Sequence, residues 1–272
     1  MNRRVKPIFL NVFIVVVLLF LIFITCDNII ETSASDDEKE IVLLNSENMT
    51  LTQLMISAIK VNERGPRPKP EKVAYITIDD GPSKYTNQIL DILDKNNVKA
   101  TFFMIDGNMN THSDELKRIE SEGHSLGFHS VSHDINILYK TPKTTVYEFD
   151  KCNNSLEEIT NKTSKLIRLP YGSKPYAPKE SYDALVEAGY KIWDWNLDTQ
   201  DWRATDKEII KNVKTYLGQH KEVVLLMHEK EQSVKALQGM IDILREKGYT
   251  ILPIEERDKP KNYWEQNLTN WI

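Results

Sequence analysis

The stretch Val73 to Pro82, VAYITIDDGP, is an apolar, strand-like run that ends in two adjacent carboxylates, Asp79 and Asp80, before a turn at Gly81-Pro82. An isolated Asp-Gly pair marks a solvated turn and needs no further explanation. Two neighbouring acids at the end of a buried strand do need one, because they repel each other and are costly to desolvate. A turn requires only a single Asp.

Outward from this stretch, strand and helix signals alternate. VAYITI is followed by a helical pattern in YTNQILDILDKNN, with Ile89, Leu90, Ile92 and Leu93 on its apolar face. ATFFMID is a second strand and precedes a helix over 113–122; HSLGFHS is a third and precedes a helix over 142–160. KLIRLP, YKIWDWNL and EVVLLMH supply the fourth to sixth strands, with helices expected over 178–188, 206–217 and 233–247, and YTILPI is a candidate seventh. Strands interleaved with helices imply a parallel sheet, and about seven such units predict an α/β fold of the distorted (β/α) barrel type. An open, doubly wound sheet is the alternative.

Polar clusters fall at the C-terminal ends of these strands. Asp79 and Asp80 follow the first, His129 and His133 the third, and Arg168 to Gly172 the fourth. Asp198, Asp201 and Trp202 follow the fifth, and His228 closes the sixth. Active sites of α/β barrels gather at that end. Solvated turns alone would not concentrate five polar clusters there.

The 272-residue chain has room for one large domain with appendages. Its net charge of −5 argues against nucleic acid as a partner. Of the two cysteines, Cys26 lies outside the expected domain and Cys152 within it, so no structural disulfide is expected. Arg3, Arg4 and Lys6 precede an apolar run over 8–25, long enough at about 1.5 Å per residue to approach a bilayer core. Basic residues before the run and acids after it (Asp27, Glu31, Asp36 and Asp37) place the N-terminus inside and the remainder outside. Residues 1–26 are therefore read as a basic stub and single-pass membrane anchor. A cleaved signal peptide, leaving a secreted protein, and lipidation at Cys26 are the alternatives. A polar stalk over 27–70, the catalytic domain over 71–258 and a tail over 259–272 complete the expected organisation.

In HSVSH, His129 and His133 are four residues apart, and on a helical turn they would share one face and reach one metal. A carboxylate is the natural third ligand. One of the two aspartates would supply it, leaving the other as a base. The same donor set suits Fe(II), so a non-haem iron oxygenase is a rival, although the Asp pair and a separate His fit hydrolysis better.

With these motifs in place, the chain resembles the polysaccharide deacetylases with a NodB homology domain (carbohydrate esterase family 4). The likeness spans roughly 71–254 and rests on TIDDGP, HSVSH, RLPYG, DTQDW and LMH in that order. It departs from the family's usual first motif in having Ile78 in place of Phe. The resemblance implies that Asp80, His129 and His133 bind a divalent metal, zinc first, with cobalt or nickel as alternatives. It implies Asp79 as general base, positioned by Arg168, and His228 as general acid, paired with Asp201. The backbone N–H of Tyr171 would hold the oxyanion, and Leu226 and Trp202 would wall a pocket for the acetyl methyl. The implied protein is a bacterial deacetylase, held at the cell membrane with its domain outside. It would act on an envelope polysaccharide, peptidoglycan N-acetylglucosamine first. Other glycans (N-acetylmuramic acid, chitooligosaccharide or an exopolysaccharide) and a non-catalytic wall-binding protein are the alternatives.

Overall fold

A computed structural model describes residues 70–218 and 220–268. The expected anchor and stalk lie outside the described residues, apart from Pro70. Among the described residues, no helix is long and apolar enough to cross a membrane.

The elements run β1 (Val73–Asp79), α1 (Thr86–Lys95), β2 (Thr101–Met104), α2 (Asp106–Thr111), α3 (Ser113–Ser121), β3 (Ser125–Phe128), α4 (Ile135–Leu138) and α5 (Pro142–Thr160). They continue as β4 (Leu166–Ile167), α6 (Lys179–Glu187), β5 (Lys191–Ile192), β6 (Leu197–Asp198), α7 (Asp206–Tyr216), β7 (Glu222–His228), α8 (Glu231–Glu246) and β8 (Thr250–Ile251). All pairings are parallel, in the order β5-β4-β3-β2-β1-β7-β6, with β8 joined to β1. β2 pairs with Thr77–Asp79 at one end of β1, and β8 pairs with Val73 and Ala74 at the other.

One correction to the sequence reading decides the shape. YKIWDWNL was expected as a single strand, but it is split into β5 and β6, which lie at opposite ends of the sheet order. If the sheet were flat, seven strands about 4.8 Å apart would separate its edges by about 29 Å. The five Cα steps from Ile192 to Leu197 reach at most about 18 Å. The sheet must therefore curl, and 193–196 spans its seam. Trp193 N–H donates to the Ile167 carbonyl on one side, and Asn196 N–H to the Val224 carbonyl on the other. An open doubly wound sheet is excluded by this connection.

Every residue of β1 is buried, as expected for a strand covered on both faces. Ala74, Ile76 and Ile78 face outward into the helical layer with Leu90, Phe102 and Leu225. Ile78 is thus an outer-core residue, remote from the barrel interior. Val73 and Tyr75 alternate with these and share an inner core with Phe103, Leu166, Trp193, Val224 and Ile254. Tyr75 and Trp193 meet edge to face at 5.8 Å. Thr77 and Asp79 continue the inward face of β1 toward its C-terminal end.

Local signals fix the helix starts. Thr141 caps α5 by accepting from Thr144 N–H, and Pro142 occupies the first turn. Thr205 and Glu208 form a capping box on α7. Residues 259–268, expected as a tail, pack against the seam: Asp194 N–H donates to the Lys261 carbonyl and Trp264 Nε1 to the Ser173 carbonyl. Cys152 is buried and free.

Trp193 is the largest side chain of the inner core and is fully buried. Trp193→Ala is expected to cost about 3–5 kcal/mol, read as a lower urea midpoint at unchanged slope.

Candidate functional site

β1 ends at Asp79, and Asp80 turns the chain in the left-handed region (φ 71°), which Asp tolerates better than bulkier residues. The two neighbouring acids therefore point into different surroundings. Asp79 is buried inside the barrel, whereas Asp80 is only half-buried, on the rim.

Asp79 meets Arg168, which is fully buried at the end of β4. Arg168 Nη1 donates to Asp79 Oδ1 at 2.9 Å and to Thr77 Oγ1 at 2.6 Å. Its Nε donates to the Trp193 carbonyl at 3.0 Å and Nη2 to the Asp194 carbonyl at 3.3 Å. The guanidinium lies 4.4 Å above the Phe103 ring. A buried cation with this set of partners is no surface ion pair.

His129 and His133 do converge, but not on a helix as the four-residue spacing suggested. His129 follows β3, Ser130 (φ 73°) and His133 (φ 49°) are left-handed, and α4 begins only at Ile135. The Glu148 carboxylate on α5 shapes this loop, accepting from Val131 N–H, Ser132 N–H and Ser132 Oγ. His129 Nδ1 lies 2.8 Å from the Arg168 carbonyl. A carbonyl only accepts, so Nδ1 carries the proton and the Nε2 lone pair faces Asp80 Oδ1 at 3.7 Å. His133 Nε2 lies 3.5 Å from the same oxygen. Burial lowers the His129 pKa, which favours the neutral, ligating form.

The donors fit a divalent metal. One ligand atom from each of Asp80, His129 and His133 lies within 4.8 Å of the other two. Asp80 Oδ1 is buried without a hydrogen-bond partner, an orphan that a cation would satisfy. The His129–Arg168 carbonyl bond orients its imidazole as metal-site histidines are usually oriented.

Opposite stands His228, at the end of β7. Asp201 Oδ1 accepts from its Nδ1 at 2.7 Å, and Oδ2 accepts from its backbone N–H at 2.6 Å and from Ser233 Oγ. Burial disfavours the charged imidazole, but the bond and charge of Asp201, with Asp79 and Asp80 behind it, outweigh burial and raise the pKa to about 9. A cation on Asp80 would offset part of that; the Asp201 contribution remains.

Asp79, Asp80, His129, His133 and His228 line one cleft of about 460 Å³, together with Tyr171, Trp202 and Leu226, while Arg168 and Asp201 stand behind them. Tyr171 is left-handed (φ 64°) and its ring meets His133 at 5.2 Å. Trp202 stands exposed on the rim, and Leu226 is buried at the base.

A family model described as polysaccharide deacetylase matches residues 66–193. The peptidoglycan-N-acetylglucosamine deacetylase of Bacillus cereus is 39% identical over 207 residues, spanning 73% of this chain and 76% of that protein. The chain belongs to the polysaccharide deacetylase family. The crystal structure of the polysaccharide deacetylase Bc1974 from Bacillus cereus aligns with this deacetylase-family chain at a TM-score of 0.69 and 38% identity, over 72% of this chain and 98% of that one. A CE4 family pseudoenzyme from Bacillus anthracis also aligns, at 0.63 and 27%, over 70% of this chain and 67% of that one. The fold thus occurs with and without activity, and the site residues must carry the functional argument.

The sequence reading missed several residues of this deacetylase-family site. Trp195 and Lys230 line the cleft beside Asp198. Asp194 is fully buried and pins the RLPYG loop by accepting from Ser173 N–H and Oγ and from Tyr263 N–H. His124 lies outside the cleft: it accepts from Ala100 N–H through Nδ1, and burial, then Lys99, lowers its pKa to about 4. It is a neutral structural histidine.

Arg168→Met would leave Asp79 buried without its counter-charge. The expected loss is about 3–5 kcal/mol in urea unfolding, and a loss below about 1 kcal/mol would contradict the buried pairing.

Proposed function

We propose that this chain is a metal-dependent deacetylase that removes acetyl groups from N-acetylglucosamine in peptidoglycan. The observation that carries this reading is the division of labour across one cleft: an orphaned Asp80 oxygen with two histidine nitrogens beside it, an arginine-held Asp79, and an aspartate-held His228 opposite.

Asp80, His129 and His133 would hold the cation. When bound, a divalent ion there supplies Lewis acidity toward a carbonyl and makes water more acidic. Asp79 is the general base: Arg168 occupies Oδ1, and Oδ2 faces the cleft, 3.7 Å from His129 Nε2. It takes the proton of the attacking water as the acetamide carbon becomes tetrahedral. The Tyr171 N–H would hold the resulting oxyanion. An amine leaves only when protonated, and His228 donates that proton through Nε2 while Nδ1 stays on Asp201. Leu226 and Trp202 enclose the acetyl methyl, and closing apolar walls around the reaction strengthens each of these interactions.

Peptidoglycan is favoured by the Bacillus cereus relative named for that substrate. An apolar run over 8–25 would tether the domain beside the wall. An internally sited domain or a different glycan would leave the chemistry unchanged.

Acetate release from purified peptidoglycan and from N-acetylglucosamine oligomers tests the reading. Release is expected to require zinc or cobalt and to be lost in Asp79→Asn. No release from any glycan by the folded, metal-loaded protein would promote a non-catalytic wall-binding role.

The proton on His228 sets the alkaline limit. Its folded pKa is raised above the ordinary value near 6.5, so the stabilising charge is fully present below that value and lost as pH rises through about 9. Activity is expected to fall along an alkaline limb at or somewhat below about 9. Asp201→Asn should move that limb toward neutrality, and an unmoved limb would remove His228 as the acid.

A further inference from the structure

Glu229 directly follows His228 at the end of β7 and is buried, 8% exposed. Its Oε2 accepts from Ser83 Oγ and from Thr86 Oγ1, both at 2.6 Å. Ser83 comes immediately after the Asp79–Pro82 turn, and Thr86 opens α1. Its Oε1 is buried with no hydrogen-bond partner and is pressed against Gly81, where an added Cβ would lie 2.1 Å away. An orphaned carboxylate oxygen in the interior is costly and calls for a reason. Gly81 is explained by the same contact, since any larger residue would displace the carboxylate.

The two strand ends joined by Glu229 carry the two halves of the chemistry. β1 leads into Asp79 and Asp80, and β7 ends in His228, in register with Asp79. We propose that Glu229 is a positioning residue that clamps the Asp79–Pro82 turn to the end of β7 and so sets Asp80 for the metal and Asp79 for its distance from His228. Glu229 does not line the catalytic cleft, so it would act only through the turn. This inference rests on the metal-hydrolase reading and deepens it.

The test is zinc affinity, measured by competition with a chelator at a temperature where thermal melts show each variant folded, beside kcat and KM on N-acetylglucosamine oligomers. Glu229→Ala is expected to weaken zinc binding by about tenfold or more, as lost outer-shell support commonly does. It should lower kcat with KM nearly unchanged, because the turn supports reacting groups rather than the sugar. Glu229→Gln keeps a carbonyl oxygen for the two hydroxyls and should recover most of both losses. Ser83→Ala removes one hydroxyl donor from a half-buried position and should show a smaller loss of the same kind; if Glu229→Ala does not fold, Ser83→Ala decides. Zinc binding and kcat within about twofold of wild type in the folded variants would overturn the inference alone. So would a kcat loss in Glu229→Ala that Glu229→Gln does not relieve. A wild-type protein that binds no zinc would sink the hydrolase reading and this inference with it.

Discussion

The site depends on one buried cation. Arg168 lies inside the barrel above the Phe103 ring, and every direction it donates in serves a different part of the structure. It neutralises Asp79 on β1, and it binds the Trp193 and Asp194 carbonyls of the segment that spans the sheet's seam. Its own carbonyl fixes the tautomer of His129. Moving a carboxylate and a guanidinium out of water is costly, and only a full set of partners compensates. The apolar floor of Tyr75, Phe103 and Trp193 is therefore linked to the chemistry: it excludes water from the Asp79–Arg168 pair and makes their bond strong.

Two adjacent aspartates can play different parts because the backbone separates them. Asp79 still obeys the strand's alternation and points inward, while Asp80 has left the strand through a positive φ and points to the rim. The same device recurs at Ser130, His133, Tyr171 and Gln200, all left-handed residues in loops that bound or support the cleft. Concentrated strain of this kind persists where surrounding bonds over-determine the loop. Here Glu148, Asp194 and Asp201 supply those bonds, each a buried carboxylate accepting from two or more donors.

Much of this was legible in the sequence where a local rule governed it. EVVLLMH and the helix over 142–160 were readable to the residue, because a strand covered on both faces is a continuous apolar run and a Thr-Pro start is a strong cap. The polar clusters at strand ends were readable for the same reason. YKIWDWNL was not, since its division into two strands is imposed by closure of the sheet and leaves no mark in residue type. The His-x-x-x-His spacing suggested a helix, but the loop's geometry comes from Glu148, fifteen residues beyond His133 and without any motif of its own. Glu229 and Asp194 were invisible likewise: a carboxylate's burial depends on tertiary neighbours, whereas its sequence surroundings look like those of any loop acid.

The central claim is that Asp80 serves a metal while Asp79 stays with Arg168. The most direct measurement is anomalous diffraction at the zinc edge from crystals of the zinc-saturated protein. One ion is expected, ligated by Asp80, His129 and His133, with the Asp79–Arg168 pair intact. An ion that takes Asp79 as a ligand and detaches it from Arg168, or no ion at this site at saturating zinc, would contradict it.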